Sequence, residues 1–353
     1  MHSPSAQKSL PESFTDPTTR RILEAKKKML DGESLGIYLG GRTMISIKEM
    51  VMWHRIGSAN VLVTKESVRA VQEYREAQEA ANSTPPENAA NSEFSTDPAS
   101  IEPPTLEPAI LSIITTIDHD KCFVLPCNGW KGPSVGAQEF KDIKMTFQGK
   151  SPTNDVIVQD FKDALNNLKA LVKEVSAGDA PMRGFLMSGT NGAPVLRFRH
   201  VVFEEVTNRP EDGSDTASDN DDSEWTLDNW PVAHPAAAEV KRSMHGKYRP
   251  NPLPAYNTKG EIIAPERCKT ALPGATVRIN FTLTHWLITS NKTDGKTNSS
   301  SGSGPYHIFN ADIDSIRVLS DPPAQVITPR KRRTTRYDPD DVSGSPSPKK
   351  KKY

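Results

Sequence analysis

Residues 274–288 read GATVRINFTLTHWLI, a run in which apolar and polar side chains alternate. Successive side chains of a β-strand project to opposite faces, so this run predicts a strand with one face in a core. The apolar face holds Val277, Ile279, Phe281 and Leu283, and the polar face holds Arg278, Asn280, Thr282, Thr284 and Trp286. The arginine and the tryptophan raise the question of what the polar face binds.

The composition indicates a folded part that is smaller than the full length. The chain has 353 residues, of which 35% are hydrophobic and 29 are proline. Some segments therefore cannot bury enough apolar surface to offset the entropy lost on ordering. Basic and acidic residues both number 44, but they are segregated, with acidic residues between Glu204 and Asp228 and basic blocks at Arg330–Arg333 and Lys349–Lys352. Such blocks are usually solvated and interact with partners.

The cysteines and the apolar runs indicate a reducing compartment and no membrane partner. Three cysteines do not form a disulfide framework. We find no secretory signal, and the longest apolar run, 109–117, is far shorter than the roughly 20 residues that span a bilayer. We therefore expect a soluble intracellular protein. Cys122, Cys127, Cys268 and His245 lack the paired spacing of a zinc site, so we interpret the cysteines as structural and expect no metal and no cofactor.

Changes in composition divide the chain into five parts. We predict a disordered segment at 1–16, a helical N-terminal region at 17–77, a linker at 78–108, a β-rich domain at 109–320 and a basic disordered tail at 321–353. Within the β-rich domain, residues 207–228 are predicted to be an acidic disordered insertion. About seven short strands accompany one long helix, predicted over 155–175 by apolar residues at helical spacing. This pattern favours a small barrel or a strongly twisted antiparallel sheet over a parallel α/β fold.

A second strand follows the opening one. The Gly/Ser/Asn-rich segment 290–305 leads into YHIFNADIDSIRVL at 306–319, which predicts a hairpin with a long tip. The apolar phase of this second strand changes near Asp314 and Ser315, which predicts a β-bulge there.

The order of these segments resembles the C-terminal half of the single-stranded DNA-binding proteins of tailed phages. An extended segment containing Tyr248 and Tyr256 precedes the hairpin over about seventy residues. The matching positions are Gly274, Val277, Ile279, Trp286, Asn310, Ile313, Ile316 and Val318. The resemblance implies an OB-like, five-stranded or larger antiparallel β-barrel with one long helix. It also implies a face of aromatic and basic residues, among them Arg278 and Trp286, that binds single strands without sequence preference. This chain departs from the family in its basic C-terminus, its internal acidic run and its N-terminal hundred residues.

Basic and aromatic residues elsewhere fit the same chemistry. In VLRFRHVVF (195–203), Arg197 and Arg199 share one face and Phe198 lies on the other. Arginines neutralise phosphates while bases stack on aromatic rings. The predicted nucleic-acid-binding residues are Arg197, Phe198, Arg199, Lys247, Arg249, Arg278, Trp286 and Tyr306. The alternative is a half-buried strand with solvent-facing arginines and a tryptophan that covers a hydrophobic edge.

The sequence thus predicts a non-catalytic protein that binds single-stranded DNA, or RNA, since stacking surfaces accept both. We find no nucleotide-binding, metalloprotease or hydrolase motif. The alternative is a nuclear scaffold whose β domain binds another protein, with Trp286 as an anchor. The blocks Arg330, Lys331, Arg332, Arg333 and Lys349, Lys350, Lys351, Lys352 predict nuclear localisation through an import receptor. Phosphorylation at Ser345 or Ser347 would weaken the second block.

Overall fold

The computed structural model describes residues 16–83, 103–133, 138–176, 178, 180–206, 225–289 and 304–323. The chain divides into two units, Met1–Pro322 and Pro323–Tyr353, and every helix and strand named below lies in the first. The predicted basic tail beyond 323, most of the acidic insertion (207–224) and part of the linker (84–102) lie outside the described residues. At the end of the insertion, Leu227 is buried, so packed structure resumes before Asp228. The domain boundaries themselves stay predictions.

The described part of the chain contains six α-helices. They are α1 (Pro17–Leu30), α2 (Met44–Met50), α3 (Lys65–Ser83), α4 (Asp155–Val175), α5 (Pro235–Ser243) and α6 (Pro265–Ala271), with a short 3₁₀ turn at Phe140–Asp142. α1 begins where its sequence predicts, because the Asp16 carboxylate accepts hydrogen bonds from the backbone N–H groups of Thr18 and Thr19. α4 spans the predicted 155–175, and its apolar side, including Phe161 and Leu168, is buried.

Thirteen strands are assigned over the same residues. They are β1 (Ile37–Tyr38), β2 (Val51–Ile56), β3 (Ala59–Thr64), β4 (Leu111–Phe123), β5 (Lys144–Lys150), β6 (Met182–Gly184), β7 (Leu186–Ser188), β8 (Pro194–Val201), β9 (Phe203–Glu205), β10 (Tyr248–Pro250), β11 (Ala255–Tyr256), β12 (Thr276–Ile288) and β13 (Tyr306–Ser320). Eleven of them form one sheet, and β9 pairs with β10 in a separate two-stranded sheet.

Five strands of the large sheet pair in a circuit. The order is β4–β5–β8–β13–β12, and β12 pairs again with β4. All of these pairs are antiparallel except β8–β13, which is parallel. The remaining strands extend the sheet on both sides, with β1 and β2 at the ends of the path. The sheet as a whole is mixed and not a closed barrel, so the structure agrees with the expected OB-like fold at a coarse level and corrects the expectation of a purely antiparallel barrel.

The N-terminal region contributes strands as well as helices. β2 and β3 form a hairpin whose turn contains Gly57 at φ +60°. β3 pairs with β12 through Val61 and Thr284, and β1 pairs with β4. The region that the sequence predicts as helical thus contains this hairpin in addition to α1, α2 and α3, because the short runs VMWHRI and ANVLVT flank a tight turn that favours a hairpin.

The hairpin β12–β13 has the predicted bulge. Asn280 pairs with Ser315 and Phe281 pairs with Ile313, which leaves Asp314 without a partner in the ladder. The extra residue allows Ile313 and Ile316 both to face the core although three positions separate them.

The main core lies between the sheet and α4. Phe198 contacts Phe147, Phe185 and Phe281 with ring centroids 5.2–5.8 Å apart. All four rings are fully buried, and the α4 side chains Phe161, Leu165 and Leu168 belong to the same cluster. These contacts fix which side of β5, β8 and β12 faces inward, and therefore which side chains remain outside.

Candidate nucleic-acid interface

Polar side chains of three adjacent strands share the side of the sheet that faces away from this core. On β8, Arg197 is exposed and Arg199 is half-buried, whereas Leu196 and Phe198 are buried. The strand register places Gln148 beside Arg197, Thr146 beside Arg199, and Arg199 beside Asp312. We call this side, with Lys144, Thr146, Arg197, Arg199 and Asn310, the outer face.

A depression of about 240 Å³ lies on the outer face, where β5, β8 and β13 meet. Its lining includes Lys144, Arg197, Arg199 and Asn310. Gly184 also lines it, at φ +100°, and a Cβ there would lie 2.3 Å from the carbonyl oxygen of Phe309. Only glycine permits this approach of β6 to β13, so the backbone of β6 lies directly against that of β13 beside the depression.

The depression carries uncompensated positive charge. The Arg199 guanidinium forks onto the Asp312 carboxylate, with Nε–Oδ1 2.5 Å and Nη2–Oδ2 2.9 Å. Among the described residues no carboxylate pairs with Lys144 or Arg197. Burial, and then the charge of Arg199, lower the pKa of Lys144. The charges of Asp312 and Asp142 act in the opposite direction but do not outweigh these two effects, so an anion entering the depression would stabilise the charged form of Lys144.

Aromatic rings lie further along the outer face. The Arg183 guanidinium lies 4.2 Å from the centroid of the Tyr306 ring. Trp286 is half-buried and pairs in register with Ile308, which pairs in turn with Arg183. Since Thr284 pairs with Asn310, Trp286 shares the face of Asn310 and lies one side-chain repeat, about 7 Å, further along the hairpin.

The structure brings together only some of the residues that the sequence predicts. Arg197, Arg199, Trp286 and Tyr306 lie on the outer face. Lys247 and Arg249 are exposed near the separate β9–β10 sheet, where Arg249 Nη2 lies 3.0 Å from the Glu204 carboxylate.

Two of the predicted residues lie in other surroundings. Phe198 is fully buried in the aromatic core, so the prediction that it stacks on bases was wrong. Arg278 shares the polar side of β12 with Trp286, but it lies eight positions away and half-buried, with its Nη1 donating to Ser34 Oγ at 3.1 Å.

The sequence reasoning missed Lys144 and Arg183. Lys144 could have been found, because KMTFQG alternates and places Lys144 in phase with Thr146 outside the buried Met145 and Phe147. Arg183 lies on a strand of three residues, which is too short for an alternation to be recognised.

A pair of buried histidines lies beneath the aromatic end of the outer face. His285 Nε2 and His307 Nδ1 are 2.8 Å apart, and the Asn60 amide nitrogen lies 3.0 Å from His285 Nδ1. Asn60 donates to Nδ1, so the His285 proton is on Nε2 and is donated to His307. Burial and His307 lower the pKa of His285 from 6.5 to about 4. The neutral pair therefore ties β3, β12 and β13 together behind Trp286.

The cysteines have the character of core residues. Cys127 and Cys268 are buried, and burial raises the pKa of both Cys122 and Cys268 to about 12. Over the described ranges, no group of three His, Cys, Asp or Glu residues is arranged to hold a metal ion. None of the described helices combines the length and the hydropathy needed to cross a membrane.

Comparison of folds finds similarity to single-stranded DNA-binding proteins of bacteriophages, the class that the C-terminal half of the sequence resembles. One is gp2.5, encoded by bacteriophage T7, with 10% identity over 59% of this chain and 85% of that chain and a TM-score of 0.27. Another is the single-stranded DNA-binding protein from bacteriophage Enc34, in a complex with single-stranded DNA, with 10% identity over 61% and 88% and a TM-score of 0.29. No family model and no curated protein sequence matches the chain.

Proposed function

We propose that this protein binds single-stranded nucleic acid, with DNA as its ligand, on the outer face and without catalysing a reaction. One observation carries the proposal: Lys144 and Arg197, which form no ion pair with any described residue, line a depression whose face continues to Trp286 and Tyr306. Binding without sequence preference needs this combination, because phosphates require cations and every base has a face that can stack.

Each part of the outer face has a distinct role in this proposal. Lys144 and Arg197 neutralise phosphates. Arg199 is already compensated by Asp312, so it contributes less charge and holds the edge of the depression in position. Trp286 and Tyr306 receive bases, and Arg183 on the Tyr306 ring places a further cation beside the stacked base.

The proposal also identifies the circuit β4–β5–β8–β13–β12 with an OB-like barrel. Proteins of that fold bind oligonucleotides across their second and third strands. The second and third strands of the circuit are β5 and β8, which carry Lys144 and Arg197. Support for the proposal comes from this correspondence between strand order and charge.

The proposal is tested by fluorescence anisotropy of a labelled oligo-dT across a salt series. The basic tail would bind any polyanion, so the full chain is used with Arg330–Arg333 and Lys349–Lys352 changed to glutamine, here named the tail-neutral chain. We expect binding that weakens steeply with salt, as bound cations are released from the DNA. No binding at low salt would reject the proposal and leave the protein-interaction alternative.

Variants of the tail-neutral chain locate the site. Arg197→Gln should weaken binding and reduce the salt slope by about 0.7, the value for one phosphate contact on a single strand. Arg55→Gln is the matched control, because Arg55 is exposed on β2 and has no carboxylate partner among the described residues. Equal effects of the two changes would place binding elsewhere. An oligo-rU arm measures any preference between DNA and RNA.

Nuclear import through the two basic blocks is a separate proposal, supported by their composition alone. A fluorescent fusion of the wild-type chain should accumulate in nuclei, and the tail-neutral chain should not. Equal distribution of the two would reject this proposal without affecting the one on DNA binding.

A further inference from the structure

A second basic depression lies at the far end of the hairpin, between α1 and the β12–β13 ladder. It has a volume of about 390 Å³. Its lining includes Arg21, Glu24, Lys28, Thr258, Arg278 and Arg317. A recess lined by Gly260, Ser315 and the same two arginines, Arg278 and Arg317, adjoins it. We call the combined space the arginine pocket.

The two strand arginines of this pocket face each other. Arg278 on β12 and Arg317 on β13 are direct partners in the antiparallel register. Like charges directly opposite on neighbouring strands are destabilising. Burial, and then the charge of Arg317, lower the pKa of Arg278.

Neutral oxygens orient the guanidinium groups without compensating their charge. Arg278 Nη1 donates to Ser34 Oγ at 3.1 Å, Arg317 Nη2 donates to the Thr258 carbonyl at 3.2 Å, and Arg21 Nη1 donates to the Leu319 carbonyl at 2.8 Å. Among the described residues no carboxylate lies within ion-pair distance of these three arginines. Glu24 is the one acidic residue in the lining, against three arginines and Lys28, so the lining as a whole carries a positive charge.

The surrounding backbone and α1 hold this arrangement in place. Gly260 has φ +95°, and a Cβ at this position would lie 2.5 Å from Arg317 Nη1, so the turn at Gly260 packs directly on the guanidinium. α1 is anchored by Lys26, whose Nζ lies 2.9 Å from the Asp160 carboxylate, and by the buried side chains of Ile22 and Met29. Arg21 is therefore presented by a fixed helix.

We propose that the arginine pocket binds a phosphate group. Guanidinium forks match the geometry of phosphate oxygens, and three forks converge here without a carboxylate partner. The phosphate has two possible sources: a phosphodiester of a strand that also lies on the outer face, or a free phosphate monoester. The first source rests on the proposed function. It is within reach, because Asn310 and Arg317 lie on the same side of β13, roughly 20 Å apart.

The first arm of the test uses inorganic phosphate and the full chain. Phosphate replaces chloride at constant ionic strength, and the thermal unfolding midpoint Tm is measured. The wild-type Tm should rise by a few degrees, because a ligand that binds only the folded state stabilises it. Arg317→Gln should raise Tm in chloride, since it removes a repulsion, and should at least halve the response to phosphate, leaving the share that comes from the outer face.

Control variants keep this arm decisive. Arg55→Gln should respond to phosphate like the wild type, including any contribution from the basic tail. Arg21→Gln changes a helix surface rather than the ladder, so it carries the test if Arg317→Gln does not fold, and it should at least halve the response. An undiminished response in both pocket variants would overturn the proposal.

The second arm distinguishes the sources with the tail-neutral chain and oligo-dT of about 4 and about 16 nucleotides, the range of OB-fold site sizes. If the pocket holds a phosphodiester of the same strand, Arg317→Gln should weaken the longer oligonucleotide several-fold and leave the shorter one unchanged. Unchanged affinity for both, with the phosphate response reduced, assigns the pocket to a free phosphate. If the wild type binds no oligonucleotide, the proposed function fails while the first arm still decides this inference.

Discussion

Arg199 Nε lies 2.5 Å from Asp312 Oδ1, across the parallel pair that joins β8 to β13. Arg197, on the same face and two positions earlier, has no carboxylate partner among the described residues. Two arginines of one strand therefore differ in function. The charge of Arg199 is compensated by Asp312 and holds β8 and β13 together, whereas the charge of Arg197 is available to a ligand.

The Asp312→Asn variant should bind single-stranded DNA more tightly than the wild type. Removing the carboxylate releases the Arg199 charge into the depression, so the salt slope should steepen by about 0.7. The free energy of unfolding should fall by about 1 kcal/mol or less, because the pair is partly exposed. Anisotropy and urea unfolding measure the two effects. Weaker binding by a fully folded variant would contradict the role assigned to Arg199.

The Trp286→Ala variant should weaken binding without unfolding the protein. Loss of one stacking surface costs about 1–3 kcal/mol of binding free energy. Trp286 is half-buried and has no aromatic neighbour among the described residues, so its loss should change stability little. Trp286→Phe is the matched control and should retain most of the affinity. If alanine and phenylalanine gave equal affinities, Trp286 would not be a stacking residue.

The Phe198→Ala variant should have the opposite profile. The ring is fully buried among Phe147, Phe185 and Phe281, so its removal leaves a cavity and should cost about 3–5 kcal/mol of stability. Folded protein at low temperature should bind DNA with nearly wild-type affinity. Denaturant unfolding and anisotropy on the same sample check both halves. If the variant were as stable as the wild type but no longer bound DNA, Phe198 would be a residue of the binding site and not of the core.

Stability should fall as the pH is lowered from about 6.5 to about 4. The pKa of His285 is about 4 in the folded protein and 6.5 in the unfolded chain, so the unfolded chain binds more protons between these two pH values. The stabilisation is complete above 6.5 and is lost as the pH approaches 4. The pKa of His200 is also lowered, chiefly by burial, and acts in the same direction.

Urea midpoints between pH 4 and pH 7 measure this dependence. His285→Gln should be less stable at pH 7, because its link to His307 changes, but it should show a shallower pH dependence than the wild type. The difference between the two curves isolates the share of His285 from that of His200. Parallel curves would show that His285 is not the responsible group.

The spacing of apolar residues predicted those features that depend only on residues close together in the sequence. β12, β13, α4 and the bulge at Asp314 all follow from the spacing of apolar residues within one element. The same alternation places Phe198 opposite Arg197, so the two could not share a binding face. Lys144 is equally visible from the alternation of its own strand.

Features that depend on distant segments were not accessible in this way. The alternation places Arg278 and Trp286 on one side of β12, but the helix that contributes Arg21 and Lys28 beside Arg278 lies about 250 residues earlier in the chain. Predicting that Arg278 lies opposite Arg317 would require the register between β12 and β13, and that register depends on the bulge. No pattern in either strand alone indicates the arginine pocket.

The bulge at Asp314 lies where β12 exchanges one neighbouring strand for another. β12 pairs with β4 up to Phe281 and with β3 at Thr284 and His285, and the extra residue of β13 falls where this change of neighbour begins. Deleting Asp314 would leave every side chain of the hairpin on its present side, since Ile313, Ser315 and Ile316 would then alternate regularly. What would be lost is the local bend. Because the bulge at Asp314 bends the β12–β13 hairpin, one hairpin can border both the depression of the outer face and the arginine pocket, one near each of its ends.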